Sequence, residues 1–423
     1  MSGAPKPILV IGGGIAGMTA AIEAAEVGYS VVLVEQAPFL GGRVMGSHQY
    51  FPKMCPPTCG IEINVRRIRH NPRITVHTLS TVEEVTGTAG DFAVRIHKQP
   101  RYVTGSASLD ESVASQLESE RPDDRNLGMK TTKALYLPHE MAYPHTYVLD
   151  RDVLSEADAD KLRELLPSGV VDLDMREEEI AVEVGAIIVA TGWRPYDATK
   201  VEALGFGRLQ NVITNVMVER LASANGPTGG EILRPSDGKP AKNVAFVQCA
   251  GSRDPDHLPY CSTVCCMASL KQSRYVLESG DGCSATIFYI DMRTIDRLEN
   301  YYHEMLERQG FRCVRGKVVE VEQESATGDL ILTVEDTLPG ETGERRFDLV
   351  VLATGMVPTT ADSRVPLGLE YDQYGFVDPS AQVRGVFPVG CMLSPCDVST
   401  STKASTAAAL RAIQCLSADA TGG

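Results

Sequence analysis

The most constraining stretch of this chain is Gly12-x-Gly14-x-x-Gly17, set between the apolar run Ile8-Leu-Val-Ile and an Ala-rich segment. Glycines at this spacing meet three needs. The first allows a tight turn, the second lets a pyrophosphate approach the backbone, and the third lets helix and strand pack closely. A helix over 15–28 then aims its unpaired N–H groups and partial positive charge at the phosphates. Ser30-Val-Val-Leu-Val-Glu35 reads as a second buried strand, and Glu35 ends it 18 residues after Gly17. A carboxylate there accepts hydrogen bonds from ribose hydroxyls. Strand, glycine turn, helix, strand and acid make one βαβ unit, with Gly12, Gly14, Ile15, Ala16, Gly17, Glu35 and Gln36 as the candidate dinucleotide site.

Further along, 74–98 alternates as antiparallel strands do, and 105–130 is polar and acidic, as a surface excursion would be. Ala186-Ile-Ile-Val-Ala-Thr-Gly192 is another buried strand ending in a turn, and Asp348-Leu-Val-Val-Leu-Ala-Thr-Gly355 echoes it. The Gly/Pro-rich stretch 222–242 reads as a connection between domains. A second α/β unit follows: a strand at 243–248, a helix near 264–279, a strand at 285–290 and a hairpin arm over 317–334. The segment 386–416 reads as a short strand, a Gly-Cys turn and an Ala-rich helix.

Leu40-Gly41-Gly42-Arg43, just after the acid, is similar to the Gly-Gly-Arg/Lys of flavoproteins with two dinucleotide domains, and this likeness points to FAD rather than NAD. Ala190-Thr191-Gly192 and Ala353-Thr354-Gly355 resemble the Ala-Thr-Gly turns of that class. Gly390-Cys391 stands where the class carries Gly-Asp, so the contact of that Asp to the ribityl chain is not supplied by a carboxylate here. The resemblance implies an α/β, thioredoxin-reductase-like fold with parallel sheets covered by helices and antiparallel β arms. An FAD-binding domain would span 1–221 and 340–423, with an insertion around 105–180, and a second Rossmann-like domain would span 242–339. Gly42, Arg43, Ala190, Thr191, Gly192, Gly355, Gly390 and Cys391 join the candidate cofactor residues. Lys403, at the start of the last helix, is either a charge partner for reduced flavin or a solvated helix-start lysine.

Cys249, Cys261, Cys265 and Cys266 form C-x11-C-x3-C-C. Four thiols in 18 residues suit one iron–sulfur cluster or one zinc, although the vicinal pair departs from zinc's usual C-x2–4-C spacing. Core packing or a dithiol pair are the other readings. The strand 243–248 runs straight into these cysteines with no second glycine turn for NAD(P)H. Cys55 and Cys59 enclose Pro56-Pro57-Thr58, a rigid loop first, a redox pair or ligands second. Cys391 and Cys396 flank the expected flavin region. Cys283, Cys313 and Cys415 sit in apolar or amphipathic runs and read as core. His48, His139 and His145 read as structural or surface residues, and no general acid or base stands out.

Cys249-Ala-Gly-Ser-Arg-Asp-Pro and Tyr260-Cys-Ser-Thr-Val-Cys-Cys-Met resemble the A subunits of heterodisulfide reductases. Tyr50-Phe-Pro-Lys-Met-Cys-Pro-Pro-Thr-Cys-Gly-Ile-Glu-Ile-Asn and Pro100-Arg-Tyr-Val are similar to the A-subunit family of the quinone-interacting membrane-bound oxidoreductase complex, as is the overall length. The resemblance covers essentially the whole chain. It implies that Cys249, Cys261, Cys265 and Cys266 hold a [4Fe-4S] cluster near FAD. It also implies electron transfer between quinone and adenylylsulfate reductase in dissimilatory sulfur metabolism. The implied partners are a haem-containing membrane subunit, together with a homologous flavin/iron–sulfur subunit.

A net charge of −15 argues against a nucleic-acid partner, which needs a Lys/Arg excess. No run approaches the ~18 apolar residues that span a bilayer, and the start lacks a secretory pattern. The expected setting is the cytoplasm, peripheral to the membrane through partners. Competing expectations are a stand-alone FAD disulfide or NAD(P)H reductase using Cys55 and Cys59, a heterodisulfide-reductase-type bifurcating subunit, and a flavin-bearing scaffold without turnover.

Overall fold

The structure, a computed structural model, describes residues 5–51, 54–104, 109–295, 297–336, 342–381 and 383–421. The helices among them are α1 (Ile15–Glu26), α2 (Pro57–His70), α3 (Glu111–Ala114), α4 (Glu156–Leu165), α5 (Asn215–Leu221), α6 (Cys265–Glu278), α7 (Leu298–Leu306) and α8 (Val398–Thr421).

Two parallel sheets organise the chain. The first runs, edge to edge, through Val386–Pro388, Ala186–Val189, Ile8–Ile11, Val31–Val34 and Ile74–His77. Its central strands are buried along their whole length, as a sheet covered on both faces requires. Burying each such Val, Ile or Leu contributes about 1.5–3 kcal/mol. On one face α1 packs against α8. Both present small residues there (Ala20, Ala21 and Ala24 facing Ala408, Ala409 and Ala412), so the helices come close. The other face is covered by the three-stranded antiparallel sheet Ser80–Thr88, Asp91–Lys98 and Glu178–Val184, through Phe92, Val94 and Ile96.

The second sheet has seven strands. Val212–Thr214, Leu349–Thr354, Asn243–Ala250, Ser284–Tyr289 and Phe311–Gln323 are parallel, and Leu330–Asp336 and Thr342–Phe347 return antiparallel as an arm. Strands 212–214 and 349–354 fall within the spans 1–221 and 340–423 expected for the FAD-binding domain, but are hydrogen-bonded into the second sheet. An apolar run such as 349–354 resembles 186–189 in pattern, and pattern alone does not say which sheet will take it.

The expected polar excursion also differs. Its residues 105–108 lie outside the described residues, but from 109 onward it builds its own small core around Leu109, Leu117, Leu135, Leu149 and Leu162. Apolar residues are too sparse between 109 and 130 to announce a core; they close on those of 134–166. Asp158 on α4 organises this unit. It is 1% exposed and accepts the backbone N–H groups of Glu118 (3.0 Å) and Ser119 (2.6 Å), with Lys161 Nζ at 3.3 Å. Burial raises its pKa, but the bonds from Ser119, Glu118 and Lys161 outweigh this and hold it below the ordinary value. Asp158→Asn is expected to destabilise the chain by about 1–3 kcal/mol at neutral pH. Because the folded pKa is depressed, this contribution is present above the unfolded value of about 3.9 and fades as pH falls below it. Denaturant melts of both proteins at pH 7 and pH 3 test this: the gap between them should shrink at the lower pH.

Candidate functional site

The glycine turn follows the strand Ile8–Ile11. Gly12 adopts φ +104°, and a Cβ on it would stand 2.3 Å from the Ala190 carbonyl oxygen. A Cβ on Gly17 would stand 1.8 Å from the Gly12 carbonyl oxygen, so α1 and its strand touch only because Gly17 has none. Gly14 leaves its side open, with 3.9 Å to the nearest heavy atom, and caps α1 without any side-chain hydrogen bond. The first N–H groups of α1 therefore face a space suited to phosphate. Glu35 is 9% exposed and accepts from the backbone N–H groups of Gly13 (2.6 Å) and Ala37 (2.7 Å). Burial pushes its carboxyl up, and these bonds oppose the shift. Gln36 beside it is exposed.

The Gly-Gly-Arg loop closes on this turn. Gly41 N–H donates to the Gly13 carbonyl (2.8 Å), and a Cβ on Gly42 would stand 2.9 Å from Gly14 Cα. Arg43 donates to the Trp193 carbonyl and lays its guanidinium 5.1 Å from the indole centroid. Trp193, the chain's one tryptophan, directly follows Ala190-Thr191-Gly192. It was missed in the sequence, although its place after that turn marks it. Thr191 faces Met392 Sδ at 3.9 Å, and Gly390 approaches Ala16 at the head of α1. So 12–17, 41–43, 190–193 and 390–392 converge on one region, with Ile15 and Ala16 in the first turn of α1. Lys403 is exposed on α8. Gly355 lies elsewhere: it packs against Leu258 and Ser262 of the cysteine loop.

That loop leaves the C-terminal end of Asn243–Ala250. Cys249, Arg253 and Thr263 all take left-handed backbone conformations (φ +58°, +56° and +64°), which a β-branched residue such as Thr263 rarely adopts. Strain of this kind persists where a site needs a particular chain path. Cys265 and Cys266 begin α6 and are buried, while Cys249 and Cys261 are half-buried. The thiols sense one another electrostatically. Burial pushes Cys249 up to about 11 and Cys265 and Cys266 upward as well. Arg253 faces Cys249 and Arg293 faces Cys261, and both arginines pair with Asp291. Cys265 Sγ donates to the Thr354 carbonyl at 3.5 Å.

A mononuclear tetrahedral metal with bonds of about 2.3 Å draws its sulfurs to about 3.8 Å from one another. Among the described residues, the group of potential ligand atoms crowded within 4.8 Å is Glu83, His97 and Glu179 on the exposed antiparallel sheet, not these cysteines. The wider sulfur spacing, the soft all-thiol donor set and the two arginines suit a multi-iron cluster.

Other residues resolve as follows. Cys55 precedes α2 and Cys59 lies in its first turn, because Pro57 suits a helix start where no N–H donor is needed. The expected rigid loop is therefore a helix start. Cys283 and Cys313 pack against the core of the second sheet, and Cys415 against that of the first. His139 is buried edge-on to Phe39, and burial lowers its pKa to about 3, so it is neutral. His48 packs edge-on to Tyr275, and His145 is exposed.

A buried network joins the two regions. Lys271 on α6 pairs with Glu219 on α5 at 2.8 Å, both under 9% exposed, and also donates to the Gln49 carbonyl. Glu219 accepts from Gln272 (2.6 Å) and from the His48 backbone N–H (2.9 Å). The helix that carries Cys265 and Cys266 is thereby tied to the segment following the Gly-Gly-Arg loop.

Residues 7–175 match the family described as FAD dependent oxidoreductase. Over 97% of its length the chain is 37% identical to an iron–sulfur A subunit of the CoB–CoM heterodisulfide reductase of Methanopyrus kandleri. Over nearly its whole length the chain thus resembles the A subunits of heterodisulfide reductases. Residues 7–175 thus form a domain of the FAD-dependent oxidoreductase type. The chain is also 36% identical, over 98% of its length, to the A subunit of the ferredoxin/F420H2-dependent CoB–CoM heterodisulfide reductase of Methanosarcina acetivorans. The chain spans 64% and 54%, respectively, of those two relatives. Among solved structures, thioredoxin reductase of T. acidophilum aligns over 97% of this chain and 98% of that one, with a TM-score of 0.53 and 14% identity, which shows the fold.

Proposed function

We propose that the chain is the FAD- and iron–sulfur-containing electron-transfer subunit of a larger, multi-chain oxidoreductase of the heterodisulfide reductase type. The observation that carries this reading is the gathering of Cys249, Cys261, Cys265 and Cys266 at the end of the strand where a nicotinamide-binding glycine turn would otherwise stand. A flavin and a cluster together supply one- and two-electron chemistry when bound. The residues divide the work. The head of α1 and Glu35 hold the phosphates and ribose, Arg43 and Trp193 shape the far end, and four thiolates hold the cluster. Arg253 and Arg293 offset the negative charge that thiolates bring to a buried place. The relatives favour this type over the quinone- and adenylylsulfate-reductase-linked complex, which rests on the resemblance at 50–64 and 100–103 alone. Among the described residues no helix is long and apolar enough to cross a membrane, so any membrane partner would be reached through other chains of the complex.

Anaerobic purification followed by flavin and iron assays should give one flavin and about four iron atoms per chain. NAD(P)H alone should not reduce the flavin on the timescale of seconds. Rapid reduction, with iron absent, would replace this reading by the stand-alone reductase.

A further inference from the structure

We infer that Cys391 and Cys396 form a dithiol/disulfide centre, separate from the four-cysteine site, that exchanges with a low-molecular-weight disulfide. The inference goes beyond the proposed function and does not rest on it.

The two sulfurs lie 3.7 Å apart, across a loop that leaves the 3-10 turn Gly390–Met392 and enters α8. A disulfide bond of about 2.05 Å needs them about 1.7 Å closer. The loop ends are held. Val377 N–H donates to the Met392 carbonyl, and the Asp397 side chain accepts the Thr400 N–H at 2.7 Å to cap α8. The two cysteines are not equivalent. Cys391 is buried at 8% exposure and bonds to both the sulfur and the carbonyl of Cys396. Cys396 is half-buried, flanked by exposed Ser394 and Asp397, and its sulfur lies 3.2 Å from the Ser401 hydroxyl. Hydrogen bonds from Cys391 and Ser401, at the positive end of a long helix, favour the Cys396 thiolate; the neighbouring Asp397 charge and burial oppose it, and the bonds win. The proton stays on Cys391, whose pKa is pushed up by the same bond and by burial.

This asymmetry assigns the order of events. The Cys396 thiolate attacks one sulfur of R–S–S–R, forming a mixed disulfide and releasing RS⁻. Cys391 then gives up its proton and attacks the Cys396 sulfur. The Cys391–Cys396 bond forms and a second thiolate leaves, so that two RSH result. The pair loses two electrons and the Cys391 proton; the substrate disulfide gains the two electrons, that proton and one more from solvent, which replaces the proton Cys396 gave up in forming its thiolate. The centre lies beside the head of α1, since Gly390 approaches Ala16.

The sequence makes the test direct. Cleavage after Arg384 and Lys403 yields a fragment, 385–403, that contains these two cysteines and no other. The purified chain is incubated in glutathione/glutathione disulfide buffers, acid-quenched, alkylated and digested. The expected result is a fragment lighter by two hydrogens and protected from alkylation, reverting as the buffer becomes reducing. Cys391→Ser should trap one glutathionyl group on Cys396. Cys396→Ser should give neither the adduct nor the internal bond. A fragment that remains fully alkylated at every buffer ratio overturns the proposal, as does a Cys391→Ser chain with no adduct or with the adduct elsewhere in 385–403. Glutathione trapped on Cys396 of the unsubstituted chain without resolution by Cys391 overturns the pairing.

Discussion

Gly17→Ala is expected to strip the chain of its flavin. The added methyl would stand 1.8 Å from the Gly12 carbonyl oxygen, and neither atom can yield without moving α1 or its strand. Overpacking at a backbone contact of this kind costs about 3 kcal/mol or more. The same displacement takes the α1 N–H groups away from the phosphate position, so FAD affinity should fall at least ~100-fold, each 1.4 kcal/mol being tenfold. Flavin absorbance after gel filtration and fluorescence titration of the apoprotein with FAD check this. Gly343→Ala is the control: its Cβ meets nothing within 4 Å, and its backbone is not left-handed, so flavin content should be unchanged. A Gly17→Ala chain with normal flavin content would mean that the cofactor does not lie on this turn.

Cys265→Ser is expected to abolish the iron and spare the flavin. Cys265 sits at the first position of α6, attached to the second sheet, whereas the glycine turn belongs to the first. A serine hydroxyl is a harder and far less acidic donor than a thiol, so iron should fall from about four atoms per chain to near zero. Cys266→Ser should behave alike, and Cys313→Ser, half-buried beside Tyr302, should leave iron untouched. Iron assay and flavin quantification on the same sample decide the matter; unchanged iron in Cys265→Ser removes that residue from the ligand set.

Much of this was legible in the sequence because each feature has a local cause. The turn at 12–17 needs glycine at fixed offsets, and the buried strands at 8–11, 31–34 and 186–189 are continuous apolar runs. The cysteines from 249 to 266 stand out by their crowding into one short segment. What was not legible depends on contacts far apart in the chain. The side-by-side placement of 212–214 and 349–354 is a matter of strand order, which an apolar run does not encode. The core of the insertion comes from residues spread thinly over 109–166. The Arg43–Trp193 stack and the Glu219–Lys271 pair each join segments far apart in the chain. Arg253 and Arg293 reach the cysteines from different segments, so spacing could mark the thiols but not the charges that accompany them.

The two sheets end in ways that bear on how this chain meets other chains. At one border of the larger sheet stands Val212–Thr214, three residues long. At the other stands Thr342–Phe347, which exposes Glu344, Arg345 and Arg346 in succession. The smaller sheet is bordered on one side by Val386–Pro388, whose last residue has no N–H to donate, and on the other by Ile74–His77, only four residues long. Short, charged or proline-ended borders are poor templates for a foreign strand. Edge-to-edge fibre growth is therefore discouraged, and side-chain surfaces are better suited than either sheet border to contact with another chain.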